Sequence, residues 1–314
     1  MPKQTTKTIA VTGGAGFIGK ALLKTLADTG YKVRALENRK AVLEHPNITP
    51  IKGNLQDVDA LQTLVEGCDV VIHGAGLVAA RKNKMFYSVN TEGTRRLAQI
   101  ADFAGCKRFL LVSSLSAREG ALSHYGNSKK HAEEVLQAMP DFAWDVIRPP
   151  AVYGPEDTQF LELLKMVKAG RVFLPAGREA RASLIYVDDL VRAIKSWVDA
   201  GAAHQKIYEI HDGAEKGYLW EEVVGYAAEA LQVQPKVNVP PMFAIRALSY
   251  ASWLSGALTR KTPYLPPEKM RQLCHPDWVV KSDDFNTDFN WQAQTNAKEG
   301  FSRTIGWYQE NNLL

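Results

Sequence analysis

The stretch TIAVTGGAGFIG, residues 8–19, constrains the fold of this chain more than any other part of its sequence. Residues 8–12 are rich in β-branched and apolar side chains, which is typical of a short buried strand. A turn with Gly13, Gly16 and Gly19 follows, and the apolar pattern that begins at Ala21 predicts a helix. This order of strand, glycine turn and helix is the βα unit that binds dinucleotides, with the diphosphate on backbone N–H groups at the helix N-terminus. The glycine spacing is wider than G-x-G-x-x-G, which indicates a subclass of this unit.

The composition is that of a globular protein and argues against several kinds of partner. The chain has 314 residues, of which 46% are hydrophobic and 23% charged, and a net charge of +4. No run of Lys and Arg is long enough to predict nucleic-acid binding. Cys68, Cys106 and Cys274 have the spacing of neither metal ligands nor a disulfide framework, so we expect no metal and a reducing compartment. No apolar targeting segment precedes the first predicted strand, which favours the cytoplasm.

An apolar segment, residues 239–258, stands apart in the last third of the chain. Pro240, Pro241 and Arg246 interrupt it, so it is a poor candidate for a membrane-spanning helix. Residues 242–258 carry large apolar side chains at helical spacing, and we expect them to pack within a lobe rather than to meet a membrane. The alternatives are a subunit interface, as in a homodimer, and a surface helix that contacts a membrane or a lipophilic substrate.

The motif YGNSK, residues 125–129, carries the predicted chemistry. A spacing of four places Tyr125 and Lys129 on one helix face, one turn apart. The unperturbed pKa of tyrosine is about 10, and a neighbouring ammonium together with an oxidised nicotinamide lowers that pKa. Tyr125 is thereby suited to donate or accept the proton at a carbon that undergoes hydride transfer. The preceding predicted strand ends at Ser113 and Ser114, so a serine hydroxyl is available to bind the substrate oxygen.

The end of the second predicted strand, residues 31–36, bears on the choice of cofactor. In this fold that point meets the adenosine ribose, and the Glu37 carboxylate is suited to bind both ribose hydroxyls. Arg39 and Lys40 favour the opposite choice, because basic groups accept the 2′-phosphate of NADP. We expect NAD, with NADP as the alternative. Asp57, after the third predicted strand, is suited either to bind the adenine amino group or to cap the next helix.

Together these motifs resemble the extended short-chain dehydrogenase/reductase family, the NAD-dependent epimerase/dehydratase group. The matching segments lie within the first 190 residues, in the family's order: TGGAGFIG, GNLQD, DVVIHGAG, VNTEGT, LLVSS, YGNSK, RPPAVYGP and YVDDL. The resemblance implies that Ser114, Tyr125 and Lys129 are the catalytic set. It also implies that Lys129 binds the nicotinamide ribose and that Asn90 supports the lysine.

The motifs and the resemblance predict a cofactor site and a fold. The expected cofactor-binding residues are Gly13, Gly16, Phe17, Ile18, Glu37, Leu55, Asp57, Ala75, Asn90, Tyr125, Lys129, Pro149 and Val152. Of these, Asn90, Lys129, Pro149 and Val152 enter as cofactor-binding residues through the resemblance alone. The expected fold is α/β, a Rossmann-type doubly wound parallel sheet of about seven strands with a smaller C-terminal substrate lobe. The predicted bounds are 1–150 and 184–211 for the dinucleotide-binding domain, and 151–183 and 212–314 for the lobe.

Departures from the family's pattern reduce the number of activities that we expect for this chain. Leu115 and Ser116 stand where the resemblance would place the Asp-Glu pair of sugar dehydratases, which argues against dehydration. Nucleotide-sugar members usually have an arginine for the substrate diphosphate at the position of Ala182, although Arg181 is adjacent. The short connection between the catalytic serine and tyrosine is closer to the hydroxysteroid dehydrogenase and dihydroflavonol reductase branch.

We therefore expect an NAD(P)-dependent oxidoreductase that interconverts a secondary alcohol and a ketone on a fairly apolar or cyclic small molecule. Tyr125 would act as its acid and base. A nucleotide-sugar epimerase is one alternative, because the same tyrosine would serve a transient hydride transfer at one sugar carbon. A cofactor-binding scaffold or sensor without turnover is another, and the intact Ser114, Tyr125 and Lys129 set argues against it.

Overall fold

A computed structural model describes residues 7–259 and 265–314 of the chain. The strands are β1 (Thr8–Thr12), β2 (Lys32–Glu37), β3 (Ile48–Lys52), β4 (Val70–His73), β5 (Arg108–Val112), β6 (Trp144–Arg148), β7 (Ala151–Tyr153), β8 (Arg171–Phe173), β9 (Arg181–Ala182), β10 (Leu184–Tyr186), β11 (Ile207–Glu209), β12 (Tyr218–Leu219), β13 (Lys236–Asn238) and β14 (Asp277–Trp278). The α-helices are α1 (Phe17–Asp28), α2 (Val58–Val65), α3 (Lys84–Phe86), α4 (Glu92–Phe103), α5 (His124–Gln137), α6 (Thr158–Lys168), α7 (Val187–Ala200), α8 (Trp220–Leu231), α9 (Met242–Thr259), α10 (Pro267–Leu273), α11 (Asp284–Phe289) and α12 (Ala297–Glu310).

In the part of the chain that the structure describes, seven strands form one sheet in the order β11-β6-β5-β4-β1-β2-β3. The pairs from β3 through β1 to β6 are parallel. The strand order reverses direction beside β1, where β4 lies on one side and β2 on the other. An open parallel sheet binds its ligand beyond the carboxyl ends of the strands at such a switch point. The structure therefore confirms the predicted Rossmann-type α/β fold.

The central strands are buried because helices cover the sheet, so their sequences are continuous apolar runs rather than alternating patterns. All five residues of β5 are buried, and so are all four of β4. Val71 and Phe109 of these strands pack with Leu61 of α2, Leu97 of α4 and Leu136 of α5 in one cluster. This packing fixes the positions of the loops that follow β1, β4 and β5.

Contacts between residues divide the chain into two compact units. As far as its residues are described, the first unit comprises Met1–Gly120, His124–Arg148 and Val191–Tyr208, and it holds the seven-stranded sheet up to the last residue of β11. The second comprises Ala121–Ser123, Pro149–Leu190 and Glu209–Leu314.

The second unit is built from short strand pairs and helices. β7 pairs with β10, β13 with β8, and β9 lies between β12 and β14. Its core is aromatic, with the Tyr153 ring stacked on Phe301 at a centroid distance of 4.8 Å.

Helix α9 agrees with the helix predicted over residues 242–258, but the prediction that it is buried in a lobe is wrong. The Phe243 side chain is 75% exposed, and Leu248 and Tyr250 are each 62% exposed. Ile245 and Ser249 of the same helix are buried. The reason is that apolar residues occupy nearly every side of this helix, so the sequence pattern does not define one face for the core. No described helix is long and apolar enough to cross a membrane.

Candidate functional site

The glycine turn after β1 brings the chain closer to its neighbours than any other residue type would allow. Gly13 has φ +83°, and a Cβ on it would lie 2.6 Å from the carbonyl carbon of Gly74. A Cβ on Gly19 would lie 2.0 Å from the Gly13 carbonyl oxygen. These separations are far below van der Waals contact, so only glycine allows α1 to begin directly against the turn.

The N-terminus of α1 offers its backbone N–H groups to a ligand. Gly16 is the N-cap residue, and Phe17 and Ile18 form the start of the first turn. Among the described residues, no side chain caps these groups, and no acidic residue stands in the first turn. The first turn of α1 therefore offers backbone N–H groups and the positive end of the helix dipole, with no acidic side chain in that turn, which suits a diphosphate.

The loop after β4 borders the glycine turn. The Ala75 N–H donates to Thr12 Oγ1 at 3.2 Å, while His73 contacts Thr12 Oγ1 at 2.6 Å and Thr94 Oγ1 at 3.0 Å through its two ring nitrogens. Burial lowers the pKa of His73 to about 3, so the ring is neutral. His73 therefore has a structural role: it links Thr12 of β1 to Thr94 of α4 at the start of the loop that follows β4.

The residues predicted to contact the adenosine half lie where β2 and β3 end. Glu37 is mostly buried, and its Oε2 accepts from the Val42 N–H at 3.0 Å while its Oε1 lies 3.7 Å from Lys52 Nζ. A carboxylate has about four acceptor positions, so these contacts leave capacity for ribose hydroxyls. Arg39 and Lys40 are exposed in the following loop.

Asp57 and Leu55 have structural contacts in the segment that follows β3. Asp57 caps α2, with Oδ1 accepting from the Ala60 N–H at 3.1 Å. This is the capping alternative for Asp57 that the sequence left open. Leu55 is buried, and a Cβ on Gly93 would lie only 2.7 Å from its Cδ1. Leu55 therefore fixes the close approach of α4 to this segment.

One face of α5 carries two of the three residues predicted to be catalytic, and the third, Ser114, follows β5. Tyr125 and Lys129 lie one turn apart, and Lys129 Nζ donates to the Val112 carbonyl at the end of β5 at 2.7 Å. Tyr125 hydrogen-bonds with Ser114, and the edge of its ring meets Phe86 at a centroid distance of 6.3 Å. Ser114 Oγ also accepts from the Ser116 N–H at 3.2 Å, which orients the serine at the start of a short 3₁₀ turn. The structure thus brings the three predicted catalytic residues together.

Burial governs the proton affinities of this face. It raises the pKa of Tyr125 above its ordinary value, while the hydrogen bond with Ser114 lowers it. Burial also lowers the pKa of Lys129 to about 8, against the opposing effect of the Glu133 carboxylate. From the sequence we expected the lysine ammonium and an oxidised nicotinamide to lower the pKa of Tyr125. In the chain without cofactor, burial outweighs the hydrogen bond with Ser114, so the pKa is raised instead.

The glycine turn and the α5 face meet along a single loop, residues 74–76. Gly74 lies against Gly13, and a Cβ on Gly76 would lie 3.1 Å from Asn90 Oδ1 and 3.6 Å from Lys129 Nζ. A group that extends from the N-terminus of α1 along this loop therefore reaches Lys129. A dinucleotide whose diphosphate lies on α1 would follow this course. The residues present fit such a cofactor.

The sequence profile of the NAD-dependent epimerase/dehydratase family matches residues 9–210. The chain belongs to this family. Its cofactor is therefore NAD, and it is an enzyme of the dehydrogenase, reductase or epimerase type.

Two bacterial relatives match nearly the whole chain. It is 32% identical over 308 residues to a ceramide reductase of Caulobacter vibrioides, covering 96% of this chain and 94% of the relative. It is 30% identical over 336 aligned positions to a UDP-glucose 4-epimerase of Vibrio cholerae, covering 98% and 97% of the two chains. The fold resembles that of the Bordetella bronchiseptica enzyme WbmH in complex with NAD⁺, with a TM-score of 0.76, 20% identity and coverage of 97% and 99%.

Of the predicted cofactor-binding residues, Asn90 lies in the first compact unit, whereas Pro149 and Val152 lie in the second. Asn90 is buried in a π-helical turn, Tyr87–Thr91, where its side chain accepts from the Leu77 N–H at 2.7 Å and donates to Ser128 Oγ at 2.9 Å. It thereby ties the loop after β4 to α5, one residue before Lys129. Pro149 and Val152 belong to the second compact unit, in which Val152 pairs with Ile185 of β10.

Glu133, one turn beyond Lys129, is a further residue of this site that was not predicted from the sequence. Its buried carboxylate accepts from Ser113 Oγ, and it forms two hydrogen bonds with Arg148, Nε to Oε1 at 3.0 Å and Nη2 to Oε2 at 2.6 Å. A buried carboxylate with these partners is held in one position. The spacing of four from Lys129 was the available signal, and the partners come from β5 and β6, which are distant in sequence.

We expect Lys129→Met to stabilise the protein without cofactor at neutral pH. The pKa of Lys129 is about 8 in the fold and 10.5 ordinarily, so the unfolded chain binds more protons between these values. The contribution of Lys129 to the free energy of unfolding therefore rises with pH between pH 8 and 10.5. Below pH 8 the buried ammonium lowers the free energy of unfolding by on the order of 1–3 kcal/mol. The variant should melt several degrees higher at neutral pH, and its advantage should shrink toward pH 10.5.

Thermal unfolding across this pH range, followed by circular dichroism, measures the effect. Lys130→Met is the matched control, because Lys130 is the exposed neighbour on the same helix. Its melting temperature should follow that of the wild type at every pH. A Lys129→Met protein that melts below the wild type at neutral pH would contradict the account.

Proposed function

We propose that the enzyme reduces a ketone to a secondary alcohol, and carries out the reverse reaction, on an apolar or amphiphilic small molecule. The observation that carries this proposal is the position of the loop of residues 74–76, which borders both the glycine turn and Lys129. It supports a cofactor that runs from the N-terminus of α1 to the Ser114, Tyr125 and Lys129 side chains. When bound, NAD supplies or accepts the hydride at the reacting carbon.

In the proposed reaction, Tyr125 handles the proton. In the reducing direction the Tyr125 hydroxyl donates its proton to the carbonyl oxygen as the carbon receives the hydride, and the alcohol is formed. In the oxidising direction the phenolate takes the alcohol proton. The raised pKa of Tyr125 keeps the side chain protonated in the absence of cofactor, which suits the donor role. Ser114, bonded to Tyr125, donates to the same substrate oxygen.

Lys129 is proposed to bind the nicotinamide ribose and to favour the phenolate of Tyr125. An ammonium has three donors, and the Val112 carbonyl takes one of them. Two donors therefore remain for ribose hydroxyls. Asn90 holds the loop beside the lysine and acts through position rather than by contact with substrate.

The substrate class is proposed from the relatives and from Arg181. The ceramide reductase relative supports a long-chain amide lipid whose secondary alcohol is formed from a ketone. A nucleotide-sugar epimerase would use an arginine near the position of Ala182 for the diphosphate. In this chain the Arg181 guanidinium donates to the backbone carbonyls of Lys216 and Gly217, each at 3.2 Å. That engagement favours the lipid ketone over the nucleotide sugar.

A substrate panel tests the proposal. The purified enzyme would be assayed with NADH against the ketone analogue of a ceramide in detergent and against a steroid ketone, and with NAD⁺ against UDP-glucose. We expect net NADH oxidation with the ceramide ketone, with kcat/KM at least about tenfold above that for the steroid ketone. Conversion of UDP-glucose to its epimer without net NADH oxidation, and no reaction with either ketone, would establish the epimerase instead.

We expect Glu37→Ala to weaken the preference for NAD over NADP. The Glu37 carboxylate repels a 2′-phosphate, and like charges about 4 Å apart cost on the order of 1 kcal/mol or more in a partly buried site. A preference for NAD of about tenfold in the wild type should therefore narrow, with Arg39 and Lys40 left to attract the phosphate. Competitive titration of both cofactors measures it, with Glu44→Ala, an exposed neighbour of equal charge, as the control. Tighter binding of NADP by the wild type would mean that the basic pair outweighs Glu37.

A further inference from the structure

Helix α9 presents an unusually apolar surface to solvent. Phe243, Ala247, Tyr250 and Leu254 recur at intervals of four, three and four residues, so they form one stripe along the helix. All four are exposed, and Leu254 is 54% exposed. Trp253, 52% exposed, lies beside this stripe. A stripe of this kind on a globular protein marks a surface that meets another apolar phase.

The opposite side of α9 attaches the helix to its own unit. Ile245, Ser249 and Ser252 recur at intervals of four and three residues on that side. Ser249 Oγ donates to the Leu265 carbonyl at 3.2 Å, and Ser252 Oγ accepts from the Leu265 N–H at 3.0 Å. The side chains that hold the helix are thus distinct from those of the exposed stripe. Substitutions in the stripe should therefore leave the fold intact.

Along the sequence around α9, every charged residue is basic. No Asp or Glu occurs from residue 230 to residue 267, whereas Lys236, Arg246, Arg260 and Lys261 fall in this stretch. Arg246 is itself exposed on α9, close to the apolar stripe. A second copy of the chain would bring the same basic surface against itself across a two-fold axis, which is unfavourable. An anionic surface is complementary to it.

We propose that α9 docks the enzyme on an anionic lipid bilayer, lying in the plane of the interface. Phe243 and Leu254 enter the acyl region, and Tyr250 and Trp253 lie at the headgroup level, where their apolar rings and polar ends are both satisfied. Arg246 contacts lipid phosphates. This inference rests on the helix surface and does not depend on the proposed substrate.

Flotation with lipid vesicles tests the proposal on the full chain. The probes are phosphatidylcholine vesicles with and without phosphatidylglycerol. We expect the wild type to float with the anionic vesicles and to bind the neutral ones more weakly. The double variant Phe243→Glu, Leu254→Glu should lose at least about tenfold in affinity for the anionic vesicles. Phe103→Glu is the matched control, because Phe103 on α4 is an exposed phenylalanine outside this surface, and it should float like the wild type.

Three results would overturn the proposal. The first is equal flotation of the wild type and the double variant, and the second is no flotation of the wild type. The third is a wild-type dimer by light scattering that the double variant converts to a monomer, since α9 would then be covered by a second copy. NADH oxidation with a detergent-dispersed substrate should be unchanged in the double variant, so the outcome is independent of the proposed reaction.

Discussion

Tyr125→Phe will lower kcat by about a thousandfold while leaving the affinity for NADH within about threefold of the wild-type value. A positioned acid or base contributes on the order of 10²–10⁴ to a rate, and this variant removes the proton that the account assigns to Tyr125. In the proposed binding mode the glycine turn, the N-terminus of α1 and Lys129 hold the cofactor, and the substitution alters none of them. The ring remains against Phe86, so packing is preserved.

Steady-state rates with the ceramide ketone and fluorescence titration of NADH measure the two effects. Tyr31→Phe is the matched control, because it also removes one phenolic hydroxyl, in this case one bonded to Asp199 of α7. Its kcat should remain near the wild-type value. A loss of NADH affinity in Tyr125→Phe as large as the loss of rate would mean that Tyr125 is structural rather than catalytic.

Lys129→Met will impair both catalysis and cofactor binding. A hydrogen bond from a charged group contributes about 1.5–3 kcal/mol, so loss of the ammonium should weaken NADH binding by about tenfold or more. Without the neighbouring positive charge the phenolate of Tyr125 is less favoured, and kcat should fall by about a hundredfold or more. The combination of weaker binding, slower turnover and a higher melting temperature at neutral pH is specific to a buried functional cation.

The readouts for Lys129→Met are NADH titration and kcat, with Lys130→Met again as the control on the same helix. A merely structural lysine would give a less stable protein with unchanged NADH affinity. Unchanged affinity would therefore remove the proposed ribose-binding role, whatever happens to the rate.

The fold and the spacing of the site were largely predictable from the sequence, because both follow from local patterns. Gly13 and Gly19 stand where the backbone meets another segment too closely for a side chain, and this requirement is visible as glycine spacing. Tyr125 and Lys129 lie four residues apart, so any helix places them on one face. The apolar runs of β4 and β5 likewise specify buried strands without further information.

The remaining features depend on partners that are distant in sequence. Lys129 donates to the Val112 carbonyl and Glu133 pairs with Arg148, and neither partner can be read from helix spacing. The exposure of α9 follows from the lack of a single apolar face, which leaves the choice of buried side to tertiary packing.

If this site performs a net reduction of a ketone with Tyr125 as proton donor, the hydride of NADH must end on the carbon that becomes the alcohol. A single turnover of the ketone analogue of a ceramide with NADH that carries two deuterium atoms at its reactive carbon, followed by mass spectrometry of the lipid, measures this transfer directly. We expect one deuterium in each alcohol formed, one NAD⁺ released for each product, and no labelled alcohol with Tyr125→Phe on the same time scale. Unlabelled product, or firm NADH binding with no product from the wild type, would contradict it.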